Sequence, residues 1–346
     1  MAHGRGWWAK RVVVGLALAV AAAGAWAVVN RADLEARYSV RQLTRATTDE
    51  DRARWAARLV ALGDAGRPAL VAALTTGDPA VRAAAAAAVE TQLTEPPEGD
   101  VPAAGLADAI LNHFPDCDAD GQEAVVGLLA GLMKRAGPAA AGKCRTVAEA
   151  GLKHPAPAAR VAAVRAAMNP LMKLRAEVVP LLAAAEPEVR RAALFAVGPA
   201  TDDEPVIGDE DLFRWLHDPD EGVRRVCQDA LASRGRTDAD IRLGRRLTHP
   251  DPAERLDLLL DLRADDDIAD PEPWLERLAR DTDPGVRAGA ARVAAEVAAE
   301  RRQSPPPWLN RLADADPEPT VRRVAAFYRG AAVARPDAAV RQVGSP

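Results

Sequence analysis

The sequence is poor in what catalytic and metal-binding proteins are built from. Cysteine occurs three times, as Cys117, Cys144 and Cys227, with no Cys-x-x-Cys pair and no zinc-ligand spacing. That excludes a zinc ribbon and a haem-attachment site. Cys117 and Cys144 could bridge if the chain is exported, but free, partly buried thiols are the expected state. Histidine occurs five times, at 3, 113, 154, 217 and 249, and no histidine is followed by glutamate. There is no Gly-rich phosphate loop, no Gly-x-Ser-x-Gly elbow and no His-Glu-x-x-His helix. Aromatic residues make up only 4% of the chain, and alanine is abundant, so small side chains allow helices to stack closely. Excess basic charge is also missing. The net charge is −5, and residues 1–30 hold Arg5, Lys10 and Arg11 with no acid, so the rest is more acidic still. A duplex-binding surface is expected to be basic, and nucleic acid is therefore disfavoured as a partner.

What the chain has instead is a recurring phrase. Asp78-Pro79-Ala80-Val81-Arg82 returns as Glu186-Pro187-Glu188-Val189-Arg190 and as Asp283-Pro284-Gly285-Val286-Arg287. Looser copies run from Asp218 to Arg224 and from Asp316 to Arg322, and weaker ones open at His154-Pro155 and His249-Pro250, with Arg160 and Arg255 in the arginine position. The arginines at 82, 160, 190, 224, 255, 287 and 322 are 78, 30, 34, 31, 32 and 35 residues apart. The first step spans two repeats, and Asp120 to Val126 fills the gap. A period of this length specifies stacked units and not one globular core.

Each unit reads as two helices. Trp274 and Leu278, like Trp308 and Leu312, are four apart and share a helical face before the phrase. After it, Val286, Ala290, Val293, Ala294 and Val297 form an apolar stripe. Within the phrase, Asp is a good N-cap and Pro is favoured at the first helical position. The arginine can reach the capping carboxylate of the neighbouring repeat and so fix the stacking register. Asp78, Arg82, Arg190, Asp218, Arg224, Asp283, Arg287, Asp316 and Arg322 are accordingly read as structural caps and ladder residues, with an anionic ligand along the ladder as the functional alternative.

A two-helix unit whose second helix opens with Asp-Pro-x-Val-Arg resembles HEAT repeats, especially the short HEAT-like repeats named after phycobilisome lyases. The resemblance covers residues 49–335. It implies an all-α solenoid used as a scaffold, with first helices on the convex side and second helices on the concave, partner-binding side. It also raises a chromophore lyase or lyase accessory subunit as an alternative. One HEAT-like enzyme family, deoxyhypusine hydroxylase, binds iron through His-Glu pairs; this chain has none, so that activity does not carry over.

The N-terminus carries a separate signal. Val12 to Val29 is an uncharged, mostly apolar run of 18 residues, flanked by Trp7 and Trp8, with Trp26 near its end. That is the short end of a spanning length. A cleaved signal peptide with Ala25-Trp26-Ala27 as its site is the rival reading. The length and flanks favour an anchor. Basic residues nearly balance across the run, and the short basic N-terminus places the repeats outside the cytoplasm. The expected organisation is a basic segment at 1–11, a single-pass anchor at 12–29, a juxtamembrane helix or linker at 30–48, repeats at 49–335 and a tail at 336–346. Thr94 to Pro102, Asp202-Asp203-Glu204 and Asp265-Asp266-Asp267 are expected to be loops.

Asp116-Cys117-Asp118-Ala119-Asp120-Gly121 is the front half of a calcium loop, with carboxylates at alternate positions. Its twelfth position is Gly127, where a bidentate glutamate is needed, and the competing reading is an acidic turn with Asp120 as N-cap. The sequence thus points to a membrane-anchored, non-catalytic scaffold without cofactor. A lyase and a calcium-responsive envelope or adhesion protein based on Asp116, Asp118 and Asp120 are the alternatives.

Overall fold

The structure, a computed structural model, describes residues 26, 29–94, 101–135, 140–200, 205–264, 268 and 270–333. Among them there are helices and no strands. The chain divides into two compact units, one ending at Val197 and the other starting at Gly198.

In the first unit the helices are α1 (Arg31–Arg45), α2 (Asp49–Ala61), α3 (Arg67–Thr76), α4 (Pro79–Thr94), α5 (Val101–His113), α6 (Ala119–Gly127), α7 (Leu129–Arg135), α8 (Ala141–Leu152), α9 (Pro157–Ala167), α10 (Arg175–Val178) and α11 (Pro187–Val197). They alternate between two layers. The second helices pack on one another in the order α2, α4, α6 with α7, α9 and α11, while α1, α3, α5, α8 and α10 form the other layer. The missing repeat is therefore present. Its second helix is interrupted at Leu128 and continues as α7. The short α10 runs on as a 3-10 turn from Val179 to Ala183. Pro180 there has no N–H to extend a ladder of helical bonds.

The beginning of the array lies earlier than expected. The segment 31–45, expected as a helix or linker, is a helix: α1 buries Ala36, Ser39 and Leu43, and packs along α2. Tyr38 meets Trp55 edge-on at 5.7 Å. Asp49 opens a second helix, because α2 packs onto α4 as α9 packs onto α11. The thin apolar face of α1 hid this pairing.

The second unit holds α12 (Asp209–Arg214), α13 (Glu221–Ser233), α14 (Asp238–Leu247), α15 (Pro252–Ala264), α16 (Glu272–Leu278), α17 (Pro284–Glu300), α18 (Trp308–Ala315) and α19 (Pro319–Val333). Helix α15 packs on α17, and α17 on α19. Trp274, Leu278, Trp308 and Leu312 are buried, and so are Val286, Ala290, Val293 and Ala294 of the predicted stripe. Val297 is only half-buried. Gly235 closes α13 at φ +77°, a left-handed position that a side chain would strain. The Arg236 N–H then reaches back to the Leu231 carbonyl at 3.1 Å.

The Val12–Val29 run lies outside the described residues except for Trp26 and Val29, both exposed. Among the described residues no helix is long and apolar enough to cross a membrane. The segments 1–11, 95–100, 202–204, 265–267 and 336–346 also lie outside them.

Candidate functional site

The arginine of the phrase does two jobs with two edges of one guanidinium. Nη1 closes its own turn. In Arg287 it donates to the carbonyls of Asp281 and Thr282 at 2.8 and 3.1 Å. Arg190, Arg224, Arg255 and Arg322 make the same pair of bonds, six and five residues back. Gln122, which stands in the arginine position of the degenerate repeat, keeps a weak copy with a bond to the Cys117 carbonyl at 3.4 Å.

Nε and Nη2 reach into the next turn. Arg287 grips Asp316 at 2.8 and 3.0 Å, and Arg255 grips Asp281 at 2.7 and 2.9 Å. Planar two-pronged pairs of this kind are the strong form of the interaction. Arg160 meets Glu186 at 2.8 Å, and Arg82 meets both Asp118 and Asp120. A ladder across neighbouring repeats is therefore present, but its carboxylate is not always the cap. Asp283 caps α17 by accepting the Val286 N–H at 3.0 Å, while Asp281, two residues earlier, takes the arginine. Asp220 likewise caps α13, and Asp218 sits in the ladder position, buried. Asp316 is a ladder residue and not a cap, and Asp78 caps α4 by accepting the Ala80 N–H. Asp281 went unnoticed in the sequence, although the acid-x-acid spacing at 218/220, 281/283 and 316/318 marks this division.

The ladder carboxylates share a local geometry. Asp218, Asp281 and Asp316 each accept the N–H two residues on, at 2.8, 2.8 and 2.9 Å. The Arg287 bond, with that backbone bond, holds the Asp316 carboxyl below its ordinary range, and Asp316 in turn raises Arg287. Two histidines mimic the aspartate. The Nδ1 atoms of His154 and His249 accept the N–H two residues on, at 3.1 and 3.2 Å. His154 then donates Nε2–H to the Ala119 carbonyl at 3.0 Å. This donor faces the repeat in which glutamine has replaced the arginine. His154 and His249 therefore each brace their own turn. His217 instead donates Nε2–H to the Arg245 carbonyl at 2.7 Å, and its ring meets that of His249 edge-on at 5.1 Å. Burial lowers the His217 pKa.

The calcium loop does not assemble. Asp118, not Asp120, caps α6 by accepting the Gly121 N–H at 2.7 Å, and both carboxylates are spent on Arg82. Among the described residues no group of three acids, histidines or cysteines is placed to hold a metal ion. The three thiols are free and buried, with no Cys117–Cys144 bridge. Burial lifts Cys117 to about 11 and Cys227 to about 12, which suits inert core thiols better than nucleophiles.

The unspent surface lies on the other side of the second helices. Five residues after each arginine the side chain points outward. In the first unit these positions are Ala87, Arg165 and Phe195, and in the second Asp229, Leu260, Arg292 and Phe327; all are exposed. Phe195, Leu260 and Phe327 are 57%, 63% and 66% exposed. These three share one register position, Phe195 in the first unit and Leu260 and Phe327 in the second, where Arg292 stands on the helix between them. Sequence reasoning had pointed to second-helix surfaces in general; counting five from each arginine would have found these residues. In the first unit, a hollow of about 10 Å³ between Val60, Arg67, Leu70 and Leu106 has room for one water.

The fold and its turns define a helix-pair repeat protein. No family model matches the chain, and no curated protein matches it. Nineteen solved chains resemble it in structure. One is the karyopherin Kap121p bound to the extreme C-terminus of the protein phosphatase Cdc14p, at 16% identity over 85% of this chain, with a TM-score of 0.36. This chain spans 33% of the karyopherin's length. Another is an engineered protein, at 21% identity over 75% of this chain and 94% of its own, with a TM-score of 0.25. Neither likeness bears on what this chain binds.

Proposed function

We propose that this protein is a non-catalytic scaffold that binds a protein partner through the outward register of its second helices. The observation that carries the reading is the exposure of Phe195, Leu260 and Phe327 at one repeated position, on the side of the second helices away from the arginine ladder. Apolar anchors of this size supply most of the energy in protein contacts, at about 2 kcal/mol or more for each hot spot. The length and flanks of Val12–Val29 support a single-pass anchor, with the repeats outside the cytoplasm. No observation favours the chromophore-lyase reading.

Two experiments test the proposal. Cross-linking and affinity capture is done with the full chain and with Leu260→Asp and Phe327→Asp. Both variants are expected to fold within about 0.5 kcal/mol of wild type, since they alter exposed positions, and to lose the partners that wild type captures. Identical capture by all three chains overturns the reading. A C-terminal alkaline phosphatase fusion is expected to be active, and a fusion active only as a cytoplasmic reporter reverses the orientation.

A further inference from the structure

One rung of the ladder is missing its acid. Arg82, Arg160, Arg255 and Arg287 each hand an edge to a carboxylate in the following turn. Arg224 keeps the first half of the arrangement, with Nη1 on the carbonyls of Asp218 and Pro219 at 2.8 and 3.0 Å. Its Nε and Nη2 donate to no group among the described residues, and neither nitrogen is sealed from solvent. The reason is the next turn, where His249 stands as Asp281 stands to Arg255. Nδ1 of His249 accepts the Asp251 N–H, which leaves Nε2 as the nitrogen that can donate, and no bond from it is made among the described residues. His154 occupies the same kind of position without conflict, because the residue facing it is Gln122 and not an arginine. By register, the position that answers Arg224 thus carries a donor where the other rungs carry a carboxylate. Arg322 closes its own turn in the same way, and no described turn follows it.

The packing opens at the same place. Helix α15 lies along α17 and α17 along α19, whereas α13 and α15 make no more than marginal contact. Helix α15, which the His249 turn introduces, exposes Leu256 at 39% and Leu260 at 63%. Each of these observations is independent of the missing acid.

We propose that Arg224 and His249 form a binding site for an aspartate or glutamate side chain of a partner polypeptide, with apolar neighbours of that residue resting on Leu256 and Leu260. The incoming carboxylate takes the position that Asp281 and Asp316 fill within the chain, so the partner completes the ladder. The site deepens the scaffold reading and rests on it for the polypeptide nature of the ligand.

The test uses the full chain and a fluorescein-labelled peptide, Gly-Leu-Asp-Leu-Gly, beside its asparagine counterpart, with binding read by polarisation. A charged hydrogen-bonding partner predicts about tenfold tighter binding of the aspartate peptide. The preference is expected to vanish in Arg224→Gln. It is also expected to vanish in His249→Asp, where the chain's own carboxylate closes the rung and raises the melting temperature. Equal binding of the two peptides overturns the site. So does a preference that survives either substitution, or binding of inorganic phosphate with no preference between the peptides. If His249→Asp captures partners as wild type does while Leu260→Asp and Phe327→Asp do not, the carboxylate site fails and the scaffold reading stands.

Discussion

Arg287→Ala is expected to destabilise the unit from Gly198 onward by about 3–5 kcal/mol, the cost of leaving one member of a buried ion pair alone. The partner decides the size. The Asp316 side chain is 3% exposed, and without Arg287 its remaining bond is to the Glu318 N–H. The same substitution removes both bonds that close the Asp281–Thr282 turn. Arg287→Ala combined with Asp316→Ala should cost less than the sum of the single changes, because the second change removes the stranded charge. The pH dependence follows from Asp316. Its folded pKa is depressed, so its contribution is complete above the unfolded value of about 3.9 and is lost as pH falls through the lower folded value. The stability gap between wild type and Arg287→Ala should therefore be widest at neutral pH and narrow as pH falls, starting above the ordinary carboxylate range, because the stranded Asp316 of the variant takes up its proton first. Thermal melts followed by circular dichroism across that range check both points. A gap under about 1 kcal/mol at neutral pH would mean that the ladder sets register without adding stability.

Phe213→Ala is expected to cost a similar amount, about 3–5 kcal/mol, for a different reason. The ring is fully buried. Its centroid lies 6.1 Å from that of Trp274, and the Arg277 guanidinium sits 6.0 Å from its centre. It also lies directly against α14, where a Cβ built on Gly244 would stand 2.3 Å from the ring. Glycine in mid-helix is there because the phenyl group takes the space of the side chain. Gly244→Ala should thus destabilise the wild type by about 1–3 kcal/mol through overpacking. In the Phe213→Ala background the clash is gone, and the same change should instead stabilise by up to about 1 kcal/mol through helix propensity. A sign that does not change between backgrounds would show that the two residues do not share this space. Denaturant midpoints of the four chains supply the measurement.

The helix pairs and the apolar faces of Trp274, Trp308 and the α17 stripe were legible because a period of about three turns of helix per element repeats in the residues themselves. The ladder was legible as a relation between neighbours. Which carboxylate it used was not, since Asp281 and Asp283 differ only in whether the chain turns before or after them. Helix α1 escaped because a first helix with three buried residues carries almost no periodic signal by itself. The calcium pattern misled for a physical reason: carboxylates spaced to hold a divalent ion also suit a guanidinium, and Arg82, distant in sequence, takes Asp118 and Asp120. The missing rung at Arg224 could not be seen without knowing where His249 sits.

The two edges of each second helix are decoupled, and that has an evolutionary meaning. One edge carries the arginine and cannot vary without loosening the stack. The residue five positions later faces water and takes no part in the ladder. Duplicating a helix pair would therefore copy the architecture intact and deliver, at no cost in stability, one unassigned surface letter to be rewritten. Ala87, Arg165, Phe195, Asp229, Leu260, Arg292 and Phe327 already spell five different residues over seven positions of one repeated frame.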